Sequence, residues 1–299
     1  MKKTVFVFLI IRSIAGISFA KDQVKIGLIT PLTGDVKTFG ESTKNAFNVA
    51  LEEYAKTGKY QIVPLAAGDR NDPTEGANAA LKLITQGKVA AVVGPLTSKV
   101  AIPVSEIADK NKVPMVSGSA TNEKVTVYES KRKPYVFRAC YIDAFQCRVA
   151  ANYALKDLKM KTAAVLYDVG NDYYYSKGLA EVFKATFEKG GGRIVAYESY
   201  QKDDVDFSAL ITKIGTKKPE LIFIPDYYNK VALIARQVRE KGLKSAMMGG
   251  NGWDSPELVK IGGNAIIGNY FTTITSPSAK TRWRRRSSRN IKERHGQGA

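Results

Sequence analysis

VAAVVGPLTSKVAIPVSEIADKNKVPMVSGSATN, residues 89–122, is the stretch whose reading decides the fold. An apolar run from Val89 to Val93 meets a Gly-Pro-Leu-Thr-Ser turn, and a helix-like segment follows. A second apolar run, Val113 to Val116, ends in a loop of small hydroxyl residues. Two short buried strands joined by one helix form a βαβ unit, which exposes its strand-to-helix loops at one edge of a parallel sheet. The two polar loops therefore lie side by side. Ser98, Ser117, Ser119 and Thr121 are short donors and acceptors near a helix N-terminus, where backbone N–H groups and the helix dipole attract an anion. Two readings stay open at this point: the edge grips a small carboxylate, or these residues only cap helices and shape turns.

The same alternation extends in both directions. Upstream, strands are expected at Val24 to Thr30 and Tyr60 to Ala66, with a helix from Phe39 to Lys56 and another opened by Pro73, the position proline favours. Downstream, an irregular charged segment from Asn122 to Lys133 precedes a strand at Pro134 to Arg138 and a helix at Ala144 to Leu158. At Thr162 the pattern restarts: strands at Ala163 to Tyr167, Arg193 to Tyr200, Leu221 to Ile224 and Ser245 to Met248 alternate with helices at Tyr174 to Lys189, Phe207 to Ile214 and Val231 to Lys241. Gly190-Gly191-Gly192 stops the first of these helices. Strands alternating with helices indicate α/β lobes whose parallel sheets are covered on both faces, with a ligand cleft between the loop-bearing edges. The boundaries expected are a signal peptide at 1–20, lobe one at 21–138, lobe two at 139–268, a crossover segment at 269–277 and a basic tail at 278–299.

Composition agrees with a globular body: 299 residues suffice for about two domains, and 44% of them are apolar. The net charge of +18 is concentrated at the ends. Lys2, Lys3 and Arg12 lie in the first twenty residues, while Lys280, Arg282, Arg284, Arg285, Arg286, Arg289, Lys292 and Arg294 crowd the tail. The body keeps a modest excess of scattered lysines, so no nucleic-acid partner is expected. Two lysines, an apolar run and Ser18-Phe19-Ala20 give the N-terminus the layout of a secretory signal cleaved after Ala20, which implies an exported, periplasmic or extracellular protein. Export makes Cys140 and Cys147 candidates for a disulfide, but seven residues along one helix separate Cα atoms by about 10.5 Å, beyond the usual limit of about 7 Å. A bridge needs Cys140 at a strand end and Cys147 in the following helix; two unpaired, partly buried thiols are the favoured outcome.

The only histidine, His295, lies in the tail, so a Ser-His-Asp triad, a Cys-His dyad and a histidine-bearing zinc site are excluded from the body. Neither GxxxxGK[ST] nor a GxGxxG run after a strand occurs. No enzyme activity, cofactor or metal is therefore expected. The second lobe supplies aromatic walls instead: Tyr173, Tyr174 and Tyr175 open one helix, Tyr227 and Tyr228 follow another strand beside Asp226, and Trp253 and Asp254 follow a third.

The segments KIGLITPLTGDVKTFGES, VVGPLTS, VPMVSGSATN, PYVFRAC, LYDVGNDYYYSKGLA, LIFIPDYYNKVALIARQ and GGNGWDSPEL resemble, in order, those of periplasmic branched-chain amino-acid binding proteins. These are the solute receptors of ABC importers, with the two-lobed type I fold. The resemblance runs from about Val24 to Thr273 and implies a monomeric receptor that traps a small amino acid between its lobes and presents it to a membrane permease. The ligand-binding set it implies is Phe39, Thr97, Ser98, Ser119, Ala120, Thr121, Tyr175, Asp226, Tyr227 and Asn251. Within that set, Ser98 and the Ser119 amide would hold the α-carboxylate, Thr121 would meet the α-ammonium, Phe39 would cover the side-chain pocket, Tyr175 would close from lobe two and Tyr227 would line the floor. The family places an acidic residue where Asn251 stands, and commonly glycine where Asp226 stands. An amide at Asn251 removes a charge-assisted bond of about 1.5 to 3 kcal/mol. Either Asp226 takes over, or the amine is bound differently. A ligand-sensing domain of the same fold, for amides, urea or another small anion, is the alternative function.

Overall fold

The computed structural model describes residues 21–170 and 173–274. The expected signal peptide and basic tail lie outside the described residues. The first half runs β1 (Gln23–Thr30), α1 (Lys37–Thr57), β2 (Gln61–Gly68), α2 (Pro73–Thr85), β3 (Ala91–Val93), α3 (Ser98–Lys110), β4 (Met115–Ser117), β5 (Val127–Tyr128), β6 (Lys131–Arg132) and β7 (Val136–Arg138). The second runs α4 (Asp143–Asn152), β8 (Thr162–Asp168), α5 (Gly178–Lys189), β9 (Arg193–Tyr200), α6 (Ser208–Thr216), β10 (Leu221–Phe223), α7 (Tyr228–Glu240), β11 (Ala246–Gly249), α8 (Pro256–Gly262) and β12 (Tyr270–Phe271).

Each half builds one parallel sheet, in the orders β2-β1-β3-β4-β7 and β12-β11-β10-β8-β9. The α/β expectation is met in both. Strand order reverses beside β1 in the first sheet and beside β8 in the second, so the loops leaving neighbouring strands diverge there and open a crevice. Local sequence explains the element ends. Asp72 caps α2 by accepting from the amides of Thr74 and Glu75, and Pro73 fills the first helical position. Gly191, at φ +88°, turns the chain out of α5 as the triple glycine predicts.

Two separate cores hold the lobes. One packs Ile29, Val92, Val100, Val104 and Met115; the other packs Leu166, Phe183, Phe187, Phe223, Ile224, Val231 and Met247. Phe183 and Phe223 stack at 3.9 Å in the middle of the second. Val36, from the β1–α1 loop, is buried in the second lobe's core, so lobe one reaches across the cleft.

Some elements differ from the sequence reading. The helix expected to Leu158 is α-helical only to Asn152 and finishes in a π-helical turn, Tyr153–Asp157. Another π-helical turn, Tyr173–Lys177, precedes α5. The irregular 122–133 segment contains a short antiparallel hairpin, β5 with β6. Tyr270–Phe271, expected in a crossover segment, adds to the second sheet as its edge strand beside β11.

Candidate functional site

The loops after β1, β3 and β4 face those after β8, β10 and β11 across a cavity of about 370 Å³. Its walls include Phe39, Ser98 and Ser119 from lobe one and Tyr175, Tyr227 and Asn251 from lobe two. A larger groove of about 500 Å³ lies between α4 and β12, lined by Phe145, Val149, Tyr153, Tyr270 and Phe271. The cleft cavity alone of the two takes its walls from the loops of both lobes and from the start of α3, which marks it as the candidate site.

On the lobe-one side the hydroxyls stitch loop to loop. Ser117 Oγ donates to Pro95 O at 2.7 Å, Ser119 Oγ donates to Leu96 O at 2.8 Å, and Ser98 Oγ accepts from the Asn122 amide at 3.2 Å. The serines thus shape the turns, and in doing so they set two adjacent loops and the start of α3 against the cavity. Gly94, at φ +95°, brings β3's exit loop so close to Ile29 O that a Cβ would sit 2.0 Å from it. Arg138 fastens the next loop by donating to Ala120 O at 3.0 Å and Asn122 O at 2.9 Å.

The lobe-two side is an aromatic wall with a carboxamide backing. The Tyr175 ring stacks on Tyr227 at 4.9 Å with planes 8° apart, and Phe39 meets Tyr227 edge-on at 6.4 Å. Tyr175 Oη donates to Asn251 Oδ1 at 3.0 Å and accepts from the Gly252 amide at 2.8 Å. Behind it, Gln146 Oε1 accepts from the Asn251 amide at 3.2 Å and from Thr272 Oγ1 at 3.0 Å, while Gln146 Nε2 donates to Asp143 Oδ1 at 3.1 Å. Burial holds the Tyr175 phenol well above its ordinary pKa, so it stays a neutral donor. The lobes touch around this wall: Asn122 Nδ2 donates to Tyr174 O at 2.7 Å, and Tyr228 Oη donates to Asp35 O at 3.1 Å.

Thr121 is fully buried, and its hydroxyl faces the Asp143 carboxylate without either Thr121 Oγ1 or Asp143 Oδ2 completing a well-aligned hydrogen bond. Burial pushes the Asp143 carboxyl up to about 6, against the opposing pull of Thr121, Gln146 and Arg138. Burial likewise pushes Asp69, beneath the start of α3, up to about 6, with the Asn71 amide and Lys99 opposing. Cys140 and Cys147 are both free thiols, as the spacing favours. Burial pushes the Cys140 thiol up to about 11, which keeps it an inert thiol.

Six of the sequence-derived site residues, Phe39, Ser98, Ser119, Tyr175, Tyr227 and Asn251, line the cavity together. Thr97, Ala120, Thr121 and Asp226 do not. Thr97 Oγ1 donates to Asn71 Oδ1 at 2.7 Å, and the Ala120 amide donates to Ser117 Oγ at 3.1 Å. Asp226 is turned into lobe two, where Oδ2 accepts a short hydrogen bond from Tyr200 Oη and Oδ1 accepts from the Tyr227 amide at 2.6 Å. Trp253 is a packing residue: its indole donates to Ile224 O at 2.9 Å from a fully buried position. The cavity lining contains one carboxylate, Asp254, among the described residues. Sequence reading placed it only beside Trp253 after a strand, and passed over Asp143 and Gln146 entirely. Their only sequence signal is the i, i+3 spacing that puts both on one face in the first turn of α4.

The family model described as periplasmic binding protein matches residues 23–299. The chain belongs to that family. Among curated periplasmic binding protein relatives, Leu/Ile/Val-binding protein homolog 3 of Brucella melitensis is 36% identical over 92% of this chain and 74% of its own length. Leu/Ile/Val-binding protein BraC3 of Rhizobium johnstonii is 36% identical over 94% of this chain and 77% of its own. Among solved structures, the leucine binding protein LivK of Thermotoga maritima superposes with a TM-score of 0.86 at 36% identity, covering 92% of this chain and 77% of that one. LivJ of Streptococcus pneumoniae, solved with isoleucine, gives a TM-score of 0.79 at 29% identity over 87% of this chain and 73% of that one. The α/β architecture is thus that of a type I periplasmic binding protein.

Proposed function

We propose that this periplasmic binding protein traps a small amino acid with an aliphatic side chain between its lobes and delivers it, outside the cytoplasm, to the permease of an ABC importer. The observation that carries the reading is the pairing, across one cavity of about 370 Å³, of the uncapped start of α3 with an aromatic wall of Phe39, Tyr175 and Tyr227. A helix N-terminus suits a carboxylate, and the aromatic wall suits an apolar side chain. The relatives named for leucine, isoleucine and valine, and the structure with isoleucine, support the same ligand class. Urea or a simple amide would leave the aromatic wall without a partner, so the sensing alternative is set aside.

In this reading the Ser98 and Ser119 backbone takes the carboxylate, Asn251 and Asp254 meet the ammonium from lobe two, and hinge closure buries the side chain against Tyr175 and Tyr227. Asp226 makes no ligand contact. The receptor acts as a monomer and performs no chemistry on its ligand. The test is isothermal titration with leucine, isoleucine, valine, a polar and an acidic amino acid. Selective binding of the aliphatic ligands is expected; failure of every amino acid to bind would overturn the proposal.

A further inference from the structure

Asp143 and Gln146 stand three residues apart at the start of α4, so their side chains share one face of the helix. Gln146 is 1% exposed, and its two ends do different work. Nε2 donates to Asp143 Oδ1, while Oε1 accepts from the Asn251 amide and from Thr272 Oγ1. A carboxamide has a donor end and an acceptor end, whereas an ionised carboxylate only accepts. Asp143 therefore dictates which end of Gln146 turns back to α4 and which end is left for the two segments beyond it. The fit to the Asn251 loop is close: a Cβ on Gly250 would sit 3.1 Å from Gln146 Oε1 and 2.8 Å from Tyr175 Oη. From Thr272 the connection runs on, because the next residue, Thr273, donates its hydroxyl to Asp254 Oδ2. Asn251 and Asp254 both line the cavity, and Gln146 does not.

We infer that Gln146 is a positioning residue of the ligand site: its carboxamide, aligned by Asp143, holds Asn251 directly and Asp254 by way of Thr272 and Thr273, where the ligand's ammonium meets them. The inference rests on the proposed amino-acid site and adds to it a residue behind the cavity wall. The logic is preorganisation. A loop already held in its binding geometry costs nothing to order when the ligand arrives, whereas a loosened loop takes that cost out of the affinity. Gln146 thereby serves the site without touching the ligand.

Gln146→Glu is the direct test, because it keeps the length of the side chain but turns its donor end into an acceptor facing Asp143. At pH 8, above the folded Asp143 pKa of about 6, the two carboxylates repel and the Asn251 loop gives way. Leucine affinity measured by titration calorimetry then falls about tenfold, with a urea transition showing that the variant is folded. A purely structural role for Gln146 predicts a lower urea midpoint with unchanged affinity, and that result overturns the inference. Adding Asp143→Asn supplies the missing donor from the other side, since the new carboxamide gives its proton to the new carboxylate, which still accepts from the Asn251 amide and Thr272 Oγ1. The double variant binds leucine within about threefold of wild type. A double variant no better than Gln146→Glu overturns the inference. Thr272→Val, a milder change outside the cavity lining, removes one bond and lowers affinity about threefold. Unchanged affinity there overturns the inference too, and judges it should Gln146→Glu fail to fold. Ligand-free crystal structures give a readout independent of affinity. Residues 250–254 displaced in Gln146→Glu and returned in the double variant support the inference, and the wild-type loop position in Gln146→Glu refutes it. Should no amino acid bind the wild-type protein, the proposed function falls while the crystal structures still judge Gln146.

Discussion

The two edges of the cleft are built from different materials. Lobe one presents, beside the single ring of Phe39, short loops whose hydroxyls bond to neighbouring backbone, Ser117 to Pro95 and Ser119 to Leu96, and so hold the main chain of those loops in place. Lobe two presents large side chains, Tyr175 stacked on Tyr227, positioned by a relay from Asp143 through Gln146 to Asn251. Main chain suits the part every amino acid shares, because its geometry does not depend on side-chain rotamers. Side-chain walls suit the part that varies, because one substitution reshapes them. The contrast teaches that tolerance of mutation differs across the cleft as well as chemistry.

The largest effect is expected at Tyr175. Tyr175→Ala empties a fully buried position and strands the Gly252 amide, with a cost in stability of about 3 to 5 kcal/mol by urea denaturation. Tyr175→Phe keeps the stack and loses only the hydroxyl's bonds, about 1 to 3 kcal/mol. Ser119→Ala on the opposite edge removes one loop-to-loop bond, about 1 kcal/mol. Equal losses for Tyr175→Ala and Ser119→Ala would break the comparison.

A middle effect concerns pH, through one carboxyl on each side whose pKa burial raises. Asp69 in lobe one and Asp143 at the start of α4 both have folded pKa values of about 6, raised by burial from an ordinary 3.8. Each therefore binds its proton more tightly in the fold than in the open chain. The stability this gives is fully present below about pH 4 and is lost as pH rises through about 6, by up to about 2 kcal/mol per group between pH 4.5 and 7.5. Urea midpoints across that range should fall as pH rises, and Asp69→Asn and Asp143→Asn should each flatten part of the slope. A slope unchanged by both substitutions would refute the assignment; a slope removed by one alone would locate the sensitivity in a single lobe.

The smallest effect is expected at Asp226. Since its oxygens serve Tyr200 and the Tyr227 amide, Asp226→Asn should lower stability by about 1 kcal/mol and shift leucine affinity less than twofold. A tenfold loss of affinity with unchanged stability would move Asp226 into the site and make lobe two a source of charge as well as shape.

Much of this was legible from residue order. The βα alternation, the helix starting at Pro73 and the glycine stop after α5 depend on neighbours a few positions apart, and so do the positions of Phe39, Ser98, Ser119, Tyr175, Tyr227 and Asn251 in or just after the strand-exit loops. Helix α8 was readable too, from Ser255 as cap and Pro256 at the first position, but the sequence reading assigned no element between Met248 and the crossover segment. Strand β12, two residues at a sheet edge, has too short an apolar run to announce itself.

The sequence by itself determined the repeated βα units, the two lobes and the edge on which a ligand would sit, because hydrophobic period and turn chemistry are local properties. Only the tertiary structure decided which polar side chains line the cavity there. Asp226 was withdrawn by Tyr200, Thr97 was withdrawn by Asn71, and Gln146 was brought behind Asn251 across 105 residues of chain. A buried donor or acceptor takes whichever partner the fold places within about 3 Å, and that choice is fixed by packing between elements distant in sequence.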